Sequence, residues 1–292
     1  MIRILHGDCR AILPTLQPDS IHCCVTSPPY FRQRDYNVAE QVGQEQDPQH
    51  YIETLVAIFA QMRPVLRRDG TFWLNLGDAY ADKQPLMIPS RLALALQADG
   101  WILRSEIVWS KPNPMRESVK DRPVNAHEKI YLFSKSRRYH YDAQAVREAA
   151  ATEPHAPGNR STGRMTSDNC VEQADRVWGA DGMRNLRNVW ELSTEGARGH
   201  HAAFPTELAE TCIKAGCPVG GTVLDPFAGT GTTLMVADRL QRDAVGIELN
   251  PRYCQMARDR ALRDGGMFAQ MALDLIVSER EDPQQIELFP GG

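Results

Sequence analysis

Apolar residues along this chain follow two rhythms. Short compact runs, such as 21–25, 71–76, 222–224 and 244–247, are bounded by Gly, Asp and Pro and read as buried strands. Longer stretches carry apolar residues at helical spacing, most clearly 51–66, where Ile52, Leu55, Val56, Phe59, Met62 and Leu66 recur before Asp69-Gly70. The two kinds alternate. Strand 3–6, helix 10–16 and strand 21–25 already make one βαβ unit, which predicts a parallel sheet. The 21–25 run stops at Thr26-Ser27-Pro28-Pro29-Tyr30. Two prolines cannot donate to a strand ladder, and Ser27, preceding Pro28, is held extended. The expected outcome is a stiff loop at a strand's carboxyl end, presenting a hydroxyl, prolyl carbonyls and an aromatic ring. Open α/β sheets bind ligands at such ends, though the same residues would also serve as a plain strand-terminating turn.

Further along, 31–49 reads as a polar, Gln-rich surface loop with Arg32, Arg34 and Tyr36 near its start. A helix is expected at 88–97, closed by Asp99-Gly100. Runs 101–109 and 129–133, separated by Lys111-Pro112-Asn113-Pro114 and a charged stretch, predict an antiparallel pair with a long excursion. Residues 149–182 are rich in Ala, Thr, Pro, Gly, Ser and Asn and predict a long mobile loop. Residues 188–192 return briefly to extended structure. A helix over 206–215, the strand 222–224, a helix to residue 240, the strand 244–247 and a helix to about residue 263 complete the pattern, leaving a tail from 266 onward.

At 292 residues, 42% apolar and 24% charged, the chain has the make-up of an ordinary globular protein rather than a disordered one. No apolar run is long enough to span a membrane, and the first residues lack the apolar core of a signal peptide, so a cytoplasmic protein is expected. Seven cysteines without a Cys-x-x-Cys pair point to free thiols rather than disulfides or zinc. The formal charge of −4 excludes a uniformly basic nucleic-acid binder, yet residues 111–200 hold 15 Lys and Arg against 12 Asp and Glu. That modest excess fits a solvated surface as well as a phosphate track.

The densest chemistry lies in Asp225-Pro226-Phe227-Ala228-Gly229-Thr230-Gly231-Thr232-Thr233 with Glu248. A strand enters a Gly-containing turn and then a helix, and the next strand ends in a carboxylate that can accept both hydroxyls of a ribose. The spacing lacks Gly-x-Gly-x-x-Gly, and no Walker lysine follows the glycines, so a pyrophosphate cradle is disfavoured. A leading Asp225 suits a ligand bearing a positive amine, such as the methionine part of S-adenosylmethionine.

Together with Thr26-Ser27-Pro28-Pro29-Tyr30 upstream, this stretch resembles the amino-DNA methyltransferases in their permuted, beta motif order. The likeness covers most of the chain. It implies a Rossmann-like, seven-stranded, mostly parallel α/β sheet in which 3–6, 245–247 and 223–224 are adjacent. The implied division is a catalytic half at 1–110, a target-recognition insert at 111–199, a cofactor half at 200–265 and a tail at 266–292. Gly7-Asp8 resembles the motif whose acid binds the adenine amino group, with Cys9 beside it. His201-Ala202-Ala203-Phe204-Pro205, leading to Thr206, resembles the motif flanking the methionine end. The cofactor set is therefore Asp8, Cys9, Phe204, Thr206, Asp225, Phe227, Ala228, Gly229, Gly231, Thr232 and Glu248. Leu74-Asn75-Leu76-Gly77-Asp78, 106–109 and 127–130 resemble later core motifs. By the same resemblance the substrate is double-stranded DNA, the protein a homodimer, and a cognate restriction endonuclease a candidate partner.

An exocyclic amino group is a poor nucleophile because its lone pair is delocalised into the ring. Ser27 and the Pro28 carbonyl would accept its hydrogens, Pro29 would stiffen the loop, and Tyr30 would stack on a base flipped out of the duplex. No metal is required, and the absence of a Pro-Cys dipeptide disfavours the covalent route to C5-cytosine methylation. His200-His201 makes a poor metal pair because adjacent side chains diverge. Arg32, Arg34, Lys111, Arg116, Lys120 and Arg122 are candidate phosphate contacts, while Asn113, Trp178, Arg184, Arg187 and Trp190 are candidate base readers. Ser27 is typical of N4-cytosine enzymes, whereas 111–123 resembles solitary enzymes of which some methylate adenine. The sequence leans narrowly to N6-adenine, with N4-cytosine almost level. An RNA or protein-glutamine methyltransferase, a catalytically inert DNA binder and a small-molecule enzyme are more distant alternatives.

Overall fold

The computed structural model describes residues 1–36, 38, 41–150, 181–195, 204–265 and 273–277. The expected 149–182 loop falls largely outside them, as do His200, His201, Trp178 and most of the tail. The main sheet takes strands β1 (Ile2–His6), β2 (Ile21–Thr26), β3 (Leu66–Leu76), β4 (Ile102–Ser110), β5 (His127–Ser134), β6 (Val189–Glu191), β7 (Thr222–Asp225), β8 (Asp243–Glu248) and β9 (Leu273–Val277). Their order is β6-β4-β5-β3-β2-β7-β8-β1-β9. The seven strands of the expected sheet are all present, and β6 and β9 add one more at each edge. Neither edge strand carried a strong pattern, β6 being three residues long.

Every neighbouring pair is parallel except the two that involve β5. That one reversal matters. It brings the first residues of β5 to the edge of the sheet where the parallel strands end. The expected 101–109/129–133 pairing is the β4–β5 ladder, with Trp109 opposite Glu128.

Helices α1 (Cys9–Ile12), α2 (Pro48–Val65), α3 (Ile88–Ala98), α4 (Thr206–Gly216), α5 (Thr232–Arg239) and α6 (Pro251–Gly265) connect the strands. The start of α2 is set locally: Asp47 accepts the Gln49 and His50 amides at 2.8 and 2.9 Å, with Pro48 in the first turn. Its face of Tyr51, Leu55, Ile58, Phe59 and Met62 is buried against the sheet. The helix does not stop at Asp69-Gly70 as its pattern suggested; it ends at Val65 and Leu66 opens β3 directly. Asp69-Gly70 instead occupies an irregularity in β3, where the pairing to β2 skips between Ile21–Leu66 and Cys23–Thr71.

By its internal contacts the chain divides into one unit of Met1–Tyr141 with Asn188–Gly292 and a smaller unit, Asp142–Arg187, inside the region expected as an insert. The described part of the smaller unit is a short hairpin, Glu148–Ala149 against Met183–Arg184. Glu148 there accepts from both Arg184 and Arg187, at 2.7 and 2.5 Å.

Gly216 closes α4 against the sheet with no room for a side chain. A Cβ there would lie 2.3 Å from Thr71 Oγ1 and 2.5 Å from Trp73 Nε1. Gly216→Ala is expected to cost about 1–3 kcal/mol through overpacking. Urea unfolding should show a lower midpoint at unchanged slope, and an unchanged midpoint would contradict this packing.

Candidate active site

Strands β2 and β7 lie side by side and parallel, although Thr26 and Thr222 are 196 positions apart in the chain. Their carboxyl ends carry the Ser27-Pro28-Pro29-Tyr30 loop and the Asp225 loop. The two loops are bolted together: Thr26 Oγ1 donates to Asp225 Oδ1 at 2.6 Å, and Thr233 Oγ1 to Asp225 Oδ2 at 2.7 Å. The Phe227 amide adds a third bond to Oδ1 at 3.1 Å. Asp225 is 2% exposed. Burial pushes its carboxyl up from 3.8 to about 6, against the opposing pull of those three donors.

A cavity opens at this edge between the ends of β1, β7 and β8. Asp8, Cys9, Phe204, Asp225, Phe227 and Ala228 line it, as do Gly229, Thr232 and Glu248. Nine of the eleven residues expected around the cofactor thus share one space. Glu248 holds its carboxylate there by accepting the Gly229 amide at 2.8 Å and the Asn250 amide at 2.7 Å, one on each oxygen. Gly229 has φ +53°, and a Cβ on it would meet nothing closer than 4.0 Å, so the turn leaves open space beside the carboxylate. Asp8 caps the first turn of α1 and chelates Arg10 Nε and Nη2. The Cys9 thiol is pushed up to about 12 by burial and stays protonated.

The other two expected residues serve the frame. Thr206 donates through its amide and hydroxyl to Glu195, at 3.0 and 2.5 Å. Gly231 has φ +79°, and a Cβ there would strike Ala257 at 2.8 Å, so its freedom serves the packing of α6 under the turn. Arg260 on α6 grips the same turn, its Nη1 bonding Thr230 Oγ1 at 2.8 Å and Thr232 Oγ1 at 3.2 Å.

Ser27 also lines a second cavity, with Pro28, Tyr30, Asn75, Lys111 and Glu128. Its floor is a closed polar network. Tyr30 donates its hydroxyl to Glu128 Oε2 at 2.6 Å and accepts from Ser27 Oγ at 3.2 Å. Asn75 Nδ2 reaches the Tyr30 hydroxyl at 2.8 Å and Glu128 Oε2 at 2.9 Å. Lys111 pairs with Glu128 Oε1 and lies 4.4 Å from the centroid of the Trp109 ring. Burial and the neighbouring Glu128 carboxylate hold the Tyr30 phenol well above its ordinary value, so it remains a donor. The Pro29 carbonyl accepts from Tyr51 at 2.8 Å, which ties the loop to α2.

Sequence patterns gave no site role to Asn75, Glu128 or Tyr51. A lone Asn inside the apolar run 71–76 was the available signal for the first. The resemblance of 127–130 to a core motif marked the stretch around Glu128 without giving that residue a role, and Tyr51 becomes visible only through helix packing. Of the candidate DNA contacts, Lys111 and Asn113 line the second cavity along with Arg34. Arg32 donates to the Glu45 and Gln46 carbonyls and Arg122 pairs with Glu117, whereas Arg116 and Lys120 are exposed. Trp190 is buried. Among the described residues no group of three or more His, Cys, Asp or Glu side chains could hold a metal ion, and no helix is long and apolar enough to cross a membrane.

A family model described as DNA methylase, covering N6- and N4-methyltransferases, matches residues 21–259. The chain belongs to that family. It is 40% identical over 287 residues to the Type II methyltransferase M.XycI of Xanthomonas campestris pv. cyanopsidis, covering 88% of this chain and 86% of the relative. To the Type II methyltransferase M.SmaI of Serratia marcescens it is 38% identical, covering 89% and 91%. A putative DNA modification methylase from Thermus thermophilus, solved with S-adenosyl-L-methionine, superposes with a TM-score of 0.66 at 26% identity over 94% of this chain and all of that one. The cytosine-N4-specific PvuII DNA methyltransferase shares the fold, with a TM-score of 0.67 at 19% identity over 92% of this chain and 93% of its own. The protein is thus an S-adenosylmethionine-dependent DNA methyltransferase.

Asp225 gives this methyltransferase a distinctive pH response. Its proton is held more tightly in the folded chain than in the unfolded one. Over about pH 4–6 protonation therefore favours the native state, and raising the pH through that window removes up to about 3 kcal/mol. Asp225→Asn cannot ionise and should flatten that fall. Parallel pH–stability curves for the two proteins in urea titrations would exclude this assignment.

Proposed function

We propose that this methyltransferase moves the methyl group of S-adenosylmethionine onto the exocyclic amino group of a base extruded from duplex DNA, and that the base is cytosine. The observation that carries the reading is the position of Ser27, which lines both the cofactor cavity and the cavity floored by Tyr30, Asn75, Lys111 and Glu128.

The cofactor cavity fits its ligand chemically. Glu248, oriented by two backbone amides and bordered by the open space at Gly229, suits the ribose hydroxyls. Asp8 suits the adenine amino group, and the acidic Asp225 lies beside the place for a positive amine. Bound S-adenosylmethionine supplies an electrophilic methyl on a sulfonium. Ser27 Oγ and the Pro28 carbonyl accept the hydrogens of the target amino group and localise its lone pair. Tyr30, fixed by Glu128 and Asn75, keeps the loop from shifting and offers its ring to the base. Positioning is most of the catalysis.

The choice of base turns on what stands next to Ser27. On the Watson–Crick edge, cytosine carries two acceptors beside its amino group, N3 and O2; adenine carries one, N1. Lys111 brings a cationic donor into the same cavity as the Ser27 acceptor, and its partner Glu128 keeps it there. Either base offers that donor an acceptor beside the amino group, and cytosine alone adds a second, O2; with Ser27 typical of N4-cytosine enzymes, we set this above the adenine preference suggested by residues 111–123. N6-adenine is the second reading.

Mass spectrometry of hydrolysed duplex DNA after incubation with the enzyme and labelled cofactor decides this. N4-methylcytosine is expected; N6-methyladenine alone would reverse the choice of base, and no transfer to duplex DNA would overturn the function. Ser27→Ala should lower single-turnover methylation about 100-fold or more while leaving cofactor affinity near wild type. A homodimer remains part of the proposal, and sedimentation at micromolar concentration with a monomeric result would remove it.

A further inference from the structure

Three residues line both cavities: Ser27, Tyr36 and Phe204. A methyl group handed from the first cavity to the second must cross where the two meet, so the group bearing it lies against these side chains. One is a hydroxyl. The other two are aromatic rings, at the place where bound S-adenosylmethionine would carry its positive charge.

We propose that Tyr36 is a cofactor-contacting residue whose ring, together with Phe204, holds the sulfonium by cation–π attraction and so selects the charged cofactor over its uncharged product. The proposal rests on reading the first cavity as the S-adenosylmethionine site. It changes the standing of the 31–49 segment, whose polar composition marked it only as a surface loop.

The ring is placed by the cofactor half of the protein. Asn250, just past the end of β8, donates its Nδ2 to the Tyr36 carbonyl at 3.4 Å. Tyr253 on α6 meets the Tyr36 ring edge-on, with centroids 6.0 Å apart and planes at 85°. On its own loop the Tyr36 amide donates to Gln41 Oε1 at 2.8 Å, and Gln41 donates in turn to Asp35 at 2.9 Å. Burial raises the Tyr36 phenol above its ordinary value, so the ring stays neutral. These contacts hold it at the junction before any DNA is bound. A ring in this position also has a use after transfer. The sulfur of the product, S-adenosylhomocysteine, is a neutral thioether and feels no cation–π attraction, so the two rings hold it less than they hold the cofactor.

Calorimetric titration of the DNA-free protein with S-adenosylmethionine and, separately, S-adenosylhomocysteine tests this without reference to activity. Tyr36→Leu is expected to weaken S-adenosylmethionine about tenfold while changing S-adenosylhomocysteine less than about twofold; Tyr36→Phe should leave both near wild type. Phe204→Leu, removing the second ring, should show the same selective loss. Equal weakening of both ligands by Tyr36→Leu would reduce the residue to simple packing and overturn the proposal, as would no effect on either. A wild-type protein that binds neither ligand would instead overturn the reading of the cavity itself.

Discussion

The arrangement of this enzyme depends on one buried carboxylate. Asp225 joins the Ser27–Tyr30 loop to the turn that leads into α5, taking one hydroxyl from Thr26 at the end of β2 and another from Thr233 at the start of α5. Residues 199 positions apart are thereby fixed within hydrogen-bond reach of one another. On the proposed function a methyl group passes between the two cavities, and such a transfer tolerates little misplacement, since an error of an ångström in the reacting atoms costs about 100-fold in rate. An unpaired acid at 2% exposure would be strongly destabilising. Three donors make it acceptable and convert the cost of burial into a rigid joint.

The second constraint is the reversed strand β5. In an all-parallel sheet its first residues would lie at the far edge from the ligand. Running antiparallel, it delivers Glu128 beside the ends of β3 and β4, where Asn75, Lys111 and Tyr30 converge on it. Glu128 then satisfies a phenol, an amide and an ammonium with two oxygens. The second cavity consequently has a floor whose donors and acceptors are already oriented, the condition under which polar groups stabilise a transition state without reorganising.

Several side chains are held in place for the sake of their neighbours. Arg260 clamps the Thr230–Thr232 turn from behind, and Gly77 leaves space for the Tyr30 ring, which a Cβ would approach to 2.7 Å. Tyr51 fixes the Pro29 carbonyl from α2. The site is thus supported by helices as well as strands, and its loops owe their stiffness partly to proline and partly to this shell.

Local pattern determined much of the fold. The strand runs at 21–25, 71–76, 222–224 and 244–247, the helical spacing of 51–66 and the motifs around Ser27 and Asp225 were all legible, because each depends on periodicity or on neighbours in sequence. Where local signals conflicted with packing they misled: Asp69-Gly70 looked like a helix end but lies within β3, since pairing to β2 outweighs the local turn preference. Nothing local shows that Glu128, in a stretch that resembles a core motif, stands beside Ser27 and Tyr30. What brings it there is the order of strands and the single reversal among them, and strand order is decided by the burial of both faces of a sheet, a property of the whole chain that no single window of sequence contains.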